Sequence, residues 1–361
     1  MAGPPTEPKF LALADRLRRA ILDGTNQPGT RLPTEKEIAA DCAVSISTVR
    51  RAVDDLVSEG LIVRRQGSGM YVRGPLGIKP RRILMGVVVP STTFYYSHVL
   101  KGIEEVRAEA DARVELVCSG YDQRLETRMV REMLDAGVDG LLLTPTLTGP
   151  EPADACLERL AQLPVPTVLI ERRGTSLQTS NESVCTHHEA GAYEAVQHLI
   201  RLGHRTIGLA LRSPSPTADP VATGYCQAIA ELGAVPIRFQ ASLEEWGPAT
   251  ADRALAHLRS ADCTAALCFG DRQAALLVAA ARRAGLSVPG DLALVAYDDE
   301  IADIPDVPLT AVAPPKHIIG RAAAELLLHR LRHPDHPLRS ILMRPSLTIR
   351  QSCGTVTPAE R

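Results

Sequence analysis

From Ile83 to Ile349 the chain repeats one device: a short apolar run, then a stretch with apolar positions at helical spacing. The runs are Ile83–Val89, Val114–Cys118, Gly140–Leu143, Thr167–Ile170, Thr206–Ala210, Ala265–Phe269 and Leu292–Ala296. Helical patterns lie near 97–110, 124–136, 152–162, 188–202, 218–232, 249–259, 272–284 and 315–331. An apolar run with no polar alternation is covered on both faces, and strands separated by helices join through crossovers, so the pattern predicts parallel sheets between helical layers. The alternation restarts after about residue 165 and closes with Leu342 and Leu347–Ile349. The expected fold class is α/β, with two doubly wound lobes and a cleft between them. Ligands of such sheets sit beyond the carboxyl ends of the strands.

The first 82 residues obey a different pattern. Phe10, Leu11, Leu13, Leu17, Ala20, Ile21 and Leu22 recur at helical spacing, with Gly24 as the stop. Thr34 and Glu37 form a capping box, so a second helix begins near Glu35. Cys42-Ala43-Val44 make a turn, and a third helix runs from about Ser45 to Glu59, stopped by Gly60. Val49, Ala52, Val53 and Leu56 face inward on it, which leaves Ser47, Thr48, Arg50 and Arg51 available outward. Leu61–Arg65 and Met70–Arg73 read as a hairpin around Gln66-Gly67-Ser68-Gly69. Charge divides along the same line. Residues 1–82 carry 14 Lys/Arg against 9 Asp/Glu, while the rest carries 26 against 33. A basic module on an acidic body points to a polyanion partner for the module alone.

Residues 9–73 resemble the winged helix of the GntR family of bacterial regulators, whose pattern runs Gly-x-x-Leu-Pro-[Ser/Thr]-Glu, Ser-x-x-Thr-Val-Arg-x-Ala and a Gly-x-Gly wing. Here these are Gly29–Glu35, Ser45–Ala52 and Gly67–Gly69. The resemblance implies double-stranded operator DNA as partner. It places Arg31 and Lys36 near phosphates or the groove wall, Ser47, Thr48 and Arg50 in the major groove, and Gln66 and Gly67 at the minor groove. Arg51 divides evenly between a DNA contact and a solvated face. Many relatives carry arginine where this chain has Ile46, so an apolar contact to a thymine methyl replaces a polar one.

The body is similar to the effector domain of LacI/GalR-type regulators, itself akin to periplasmic sugar-binding proteins. The segments that carry the likeness are Val138–Pro145, Pro166–Arg172, His198–Gly208, Ala296–Asp299 and Pro308–Val312. A GntR-type winged helix on such a body resembles the arabinose-responsive regulators of Gram-positive bacteria. The expected division is a winged helix over 8–74, a linker over 75–82, a two-lobed effector domain over 83–352 and a tail over 353–361. By the likeness, Phe94 packs on the ligand, with Tyr95 or Tyr96 as substitutes. Glu171 and Asp298 accept from sugar hydroxyls, Trp246 stacks on a pyranose face, and Asp271 stands at the cleft rim. Carboxylates beside an aromatic suit a polyol, whose hydroxyls donate and whose ring offers a CH face. Each has an ordinary alternative: Phe94 and Trp246 as core aromatics, Asp298 as a strand-end cap, Asp271 as a helix N-cap. Two departures stand out. Val221 replaces the ligand-holding arginine of relatives, leaving Arg212 as a stand-in, and Gly270 replaces an asparagine.

Other classes fit less well. Eight cysteines without a Cys-x-x-Cys pair suit reduced thiols in the cytoplasm. No run approaches the roughly 18–20 apolar residues of a membrane span. The cluster Cys185-Thr186-His187-His188-Glu189 contains metal-ligand types, but adjacent histidines at a helix start rarely turn both rings to one ion, so no metal is expected there. His317, His329, His333 and His336 read as dispersed surface residues. No phosphate loop of the type Gly-x-x-x-x-Gly-Lys-[Ser/Thr] and no nucleophile–base pair occurs, so neither catalysis nor a cofactor is expected. The expectation is a homodimeric, ligand-responsive repressor with a sugar as effector. The alternative is a winged helix on an enzymatic or non-sugar-sensing body, for example a nucleobase-responsive one.

Overall fold

The structure, a computed structural model, describes residues 9–22, 25–65, 68–73, 82–174 and 180–354. Gly24, Gln66 and Gly67 lie outside these, as do linker positions 75–81 and tail positions 355–361. The chain divides into two compact units at Arg82/Ile83.

The first unit runs α1 (Lys9–Leu22), α2 (Glu35–Asp41), α3 (Ile46–Ser58), β1 (Ile62–Arg65) and β2 (Gly69–Val72). The expected capping box is present: the Glu37 amide donates to Thr34 Oγ1 at 3.3 Å and the Thr34 amide to Glu37 Oε2 at 2.6 Å. Ser45 caps α3 by accepting from the Thr48 amide at 3.1 Å. Ala43 takes φ 50° in the turn between α2 and α3, and Gly60 takes φ 75° after α3. Leu13, Ile38, Val49, Val53, Leu56, Ile62 and Val72 close the core. β1 and β2 pair antiparallel from Ile62↔Val72 to Arg65↔Gly69.

The second unit opens β3 (Leu84–Val89), α4 (Tyr95–Glu109), β4 (Arg113–Cys118), α5 (Gln123–Asp135), β5 (Gly140–Leu143), α6 (Ala153–Ala161), β6 (Thr167–Ile170) and β7 (Glu182–Thr186). It continues α7 (His188–Arg201), β8 (Thr206–Arg212), α8 (Ala218–Leu232), β9 (Val235–Ala241), α9 (Pro248–Ser260), β10 (Ala265–Cys268), α10 (Asp271–Arg283) and β11 (Ala293–Tyr297). β12 (Thr310–Ala313), α11 (Lys316–Arg332), β13 (Ser340–Met343), β14 (Ser346–Thr348) and a 3₁₀ turn at Gln351–Cys353 complete it. Two six-stranded sheets result, ordered β4-β3-β5-β6-β7-β13 and β9-β8-β10-β11-β12-β14. Every pairing is parallel except β12 with β14.

All seven apolar runs are strands. Of the other strands, β13 and β14 hold the closing Leu342 and Leu347, while β7, β9 and β12 are not among the runs. Glu182-Ser183-Val184-Cys185-Thr186 is too polar to read as a core strand, yet all five residues are buried. β9 is an edge strand that alternates in exposure, which is where Pro236 is tolerated. The domain also runs past the expected boundary at 352. Cys353 is buried in the second lobe, and Ser352 Oγ donates to Leu294 O at 2.6 Å.

The chain crosses between lobes after β7, after β12 and between β13 and β14. α7 therefore packs on α8 in the second lobe, and α11 returns to pack on α4 in the first. The α4–α11 contact is close because glycine stands on both sides. A Cβ at Gly320 would sit 1.9 Å from Val99 O, and one at Gly102 would sit 2.1 Å from His317 O. A methyl there meets backbone that cannot turn aside. Overpacking costs about 3 kcal/mol, offset by about 1 kcal/mol of alanine helix propensity, so Gly320→Ala should destabilise by about 2 kcal/mol. An unchanged urea midpoint for this variant would contradict the close approach.

Candidate functional sites

On the first unit, the amino end of α3 gathers short hydroxyls. Ser45 Oγ lies 2.8 Å from Ser47 Oγ and 2.7 Å from Thr48 Oγ1. Ser47 is exposed, and Ile46 beside it is 41% exposed. Arg50 is exposed but engaged: its Nε and a terminal nitrogen donate to Glu35 Oε2 at 3.2 and 3.1 Å. Glu35 also takes Arg64 at 3.0 Å, and Arg64 pairs in turn with Asp54. Lys36 is exposed on α2, and Arg31 is exposed beside the wing, where its Nε would meet a Cβ at Gly69 at 3.2 Å. Arg51 turns the other way, its guanidinium 4.0 Å from the Phe10 ring centroid. This cation–π contact holds it toward α1. Gln66 and Gly67 lie outside the described residues.

On the second unit, a cleft of about 610 Å³ opens beyond the carboxyl ends of strands from both sheets. Its wall includes Phe94, Tyr95, Tyr121, Glu171, Arg172, His188, Arg212, Phe269 and Asp298. The volume is that of a small-molecule pocket.

Glu171 follows β6 in a left-handed conformation, φ 56°, and is 5% exposed. Its Oε2 accepts from the Thr186 amide at 3.0 Å and its Oε1 from Thr186 Oγ1 at 2.8 Å and from the Tyr95 hydroxyl. The His188 imidazole stands 3.4 Å away. Burial works against the charged form, but His188, Tyr95 and the Thr186 amide outweigh it and hold the carboxyl at about 2. Asp298 follows β11 at φ 94°. Burial raises its carboxyl above the ordinary range, opposed by Lys316, Arg212 and His188. Lys316 donates to the Asp298 carbonyl and pairs with Glu300 at 2.5 Å.

The aromatic and cationic wall differs from expectation. Phe94 is 67% exposed at the cleft with φ 49°. Tyr95, named as its substitute, is the ring tied to the carboxylate. Arg212 does reach the cleft, its guanidinium 5.3 Å from the Phe269 centroid, while Val221 is wholly buried. Arg172 lines the cleft too, donating to Glu171 O at 2.7 Å and leaving its buried Nε without a protein partner. His188, from the Cys185–Glu189 cluster, joins the lobes instead, with Nδ1 3.0 Å from the Tyr297 hydroxyl.

Two expected residues fall outside the cleft. Trp246 is 3% exposed in the second lobe's core, edge-on to Phe239 with centroids 5.9 Å apart, and its Nε1 donates to Leu211 O at 3.3 Å. It is a core indole, because β8 and β9 close over it. Asp271 is also buried, yet neither touches the cleft nor caps α10. Its Oδ2 accepts the Glu300 and Ile301 amides at 2.5 and 3.0 Å, so it anchors the loop after Asp298. Burial pushes its carboxyl up to about 6. Among the described residues no cluster of three ligand-type side chains surrounds a point that could hold a metal.

The profile of bacterial regulatory proteins of the gntR family matches residues 10–72, and that of the periplasmic binding protein-like domain matches 196–353. The chain is 31% identical over 362 aligned residues to the arabinose metabolism transcriptional repressor of Geobacillus stearothermophilus, covering 96% of this chain and 98% of that one. The crystal structure of the transcription regulator GntR from Chromobacterium violaceum superposes with a TM-score of 0.62 at 27% identity, covering 75% of this chain and 100% of that one. A LacI family regulator from Enterococcus faecium, crystallised with bound ribose, gives 0.61 at 23% identity over 74% of this chain and 98% of that one. That likeness is one of fold.

Proposed function

Because the chain belongs to the GntR family of bacterial regulatory proteins and carries a periplasmic-binding-protein-like body, we infer that the winged helix reads an operator while the cleft senses a sugar. The protein is a ligand-responsive transcriptional repressor. The observation that carries the sugar reading is that Glu171 and Asp298 line one cleft together with aromatic rings. One carboxylate comes from each lobe, at the strand ends, with Arg172, Arg212 and His188 as further polar partners. Hydroxyls that bridge the two draw the lobes together, which is how a small ligand acts on the DNA-binding unit. The name of the Geobacillus relative points to arabinose or a related pentose as the first ligand to test.

The repressor acts as a homodimer in the cytoplasm, since one winged helix contacts too few base pairs for high affinity and two suit a two-fold operator. The described residues include no helix long and apolar enough to cross a membrane. The cleft binds without turnover.

Operator contact rests on Ser47, Thr48, Arg50, Lys36 and Arg31. Arg50 must first leave Glu35, an exchange of one charged partner for another. Arg50→Ala should weaken operator binding by about 1–3 kcal/mol and leave sugar binding by the body unchanged. Gel-shift titration beside a thermal-shift screen of pentoses and hexoses tests both halves. Full operator affinity in Arg50→Ala would sink the assignment of α3. No stabilisation by any sugar would sink that of the cleft.

A further inference from the structure

The cleft holds two cations that no carboxylate of the protein answers. Arg172 follows Glu171 after β6 in the first lobe, and Arg212 ends β8 in the second. Both are half-buried and both line the cleft. Among the described residues, neither guanidinium has a carboxylate oxygen within 4.0 Å. Arg172 makes one bond, to the Glu171 carbonyl at 2.7 Å, and its buried Nε has no acceptor. Arg212 makes no hydrogen bond to the described residues, and its neighbour is the Phe269 ring, 5.3 Å from the guanidinium carbon to the centroid.

Other arginines of this unit hold carboxylates even where water would serve. Arg282 pairs with Asp306, Arg159 with Glu151 and Arg350 with Asp299. A guanidinium cannot shed its charge, so one drawn partly from water gains most from a counter-ion. The acidic residues of the cleft do not provide it. Glu171 is engaged by Thr186, Tyr95 and His188, burial raises the Asp298 carboxyl, and Glu244 is exposed to water. A sugar hydroxyl accepts from a guanidinium but leaves the charge unbalanced. A phosphate or carboxylate does both, through two parallel bonds. α4 leans the same way. Thr93, Phe94 and Tyr95 line the cleft at its amino end, where no side chain caps the helix and no acidic residue stands in the first turn. That end of the helix dipole favours negative charge.

We propose that the effector is an anionic sugar, a sugar phosphate or a sugar acid, whose charged group is held by Arg172 and Arg212 while its hydroxyls meet Glu171 and Asp298. This inference rests on the sugar-sensing reading of the cleft and narrows it to a charged class. One guanidinium comes from each lobe, so the anion and the hydroxyls favour the same closure. Selectivity follows from the same groups. A neutral sugar leaves two cations unanswered, and that deficit counts against it.

The test measures binding to the full chain by calorimetry, with arabinose against arabinose 5-phosphate, and glucose against glucose 6-phosphate and glucuronate. At least one charged sugar should bind at least about tenfold more tightly than its neutral parent. A gain with phosphate identifies a sugar phosphate, and a gain with glucuronate a sugar acid. Raising NaCl from about 0.05 to about 0.5 M should erode that gain. Arg212→Gln, checked for an unchanged Tm without ligand, should cut the gain to below about threefold. Equal binding of charged and neutral sugars, or a gain that survives Arg172→Gln with Arg212→Gln in a folded double variant, overturns the proposal. If only neutral sugars bind, this inference falls and the sugar-sensing reading stands. If no sugar of either kind binds, both fall.

Discussion

Replacing Glu182 with alanine should lower the stability of the second unit by about 3 kcal/mol, measured as a drop in the urea midpoint at constant slope. Glu182 is 3% exposed on an inner strand of the first sheet, and Arg330 opposite is 7% exposed. Their two bonds of 2.9 and 3.0 Å are the bidentate kind. Removing the carboxylate strands a guanidinium that the fold has taken from water, and that penalty exceeds the worth of the pair itself. The cover over Arg330 is a single loop, 334–337, so solvent is near and the loss belongs at the low end for a buried pair. Glu182→Met with Arg330→Met should recover most of it, because neither charge then remains. A midpoint shift below about 1 kcal/mol for Glu182→Ala would show the pair to be solvated.

Glu171 should govern stability in acid. An ordinary glutamate titrates near 4.5 and this one near 2. Its stabilisation is therefore complete above about pH 4.5 and disappears as pH falls toward 2. The shift corresponds to about 3 kcal/mol. Glu171→Gln should flatten the pH dependence of unfolding across that window relative to wild type. At neutral pH it should lose about 1–3 kcal/mol, since the amide cannot accept from the Thr186 N–H and hydroxyl together with Tyr95. The same variant should keep operator binding and lose its response to sugar. Parallel acid-unfolding curves for the Glu171→Gln variant and wild type would remove Glu171 from this role.

Much of this architecture is legible because strand burial writes itself into composition. Gly140–Leu143 and Thr167–Ile170 are placed to the residue, and Thr34 with Glu37 announces α2 through a local bond. Local bonds and apolar runs need no knowledge of the partner. Side chains whose meaning depends on a partner far along the chain are harder. Glu182 reads as a polar interruption until Arg330, 148 residues later, arrives beside it. His188 reads as a poor metal ligand until Glu171 of the first lobe and Tyr297 of the second both meet it. Trp246 offers no sign of which surface its indole faces, and the core takes it. Arg212 is legible by the opposite route, since valine at 221 leaves a vacancy for an arginine that only a neighbour can fill. His329, His333 and His336 read as dispersed, yet a turn that Arg330 fastens gathers their ring centroids within 5.0 Å of one another beside the end of α11.

The triple passage of the backbone between lobes has a topological consequence. A protease that nicks the Arg344-Pro345 connection leaves two covalent bridges intact, after β7 and after β12. The cleaved body stays one object, and its halves keep a shared pivot. Short tethers side by side resist stretching and sideways slip far better than they resist twist. The lobes are thus restricted to a narrow family of rotations, and a few hydroxyls in the cleft select among them.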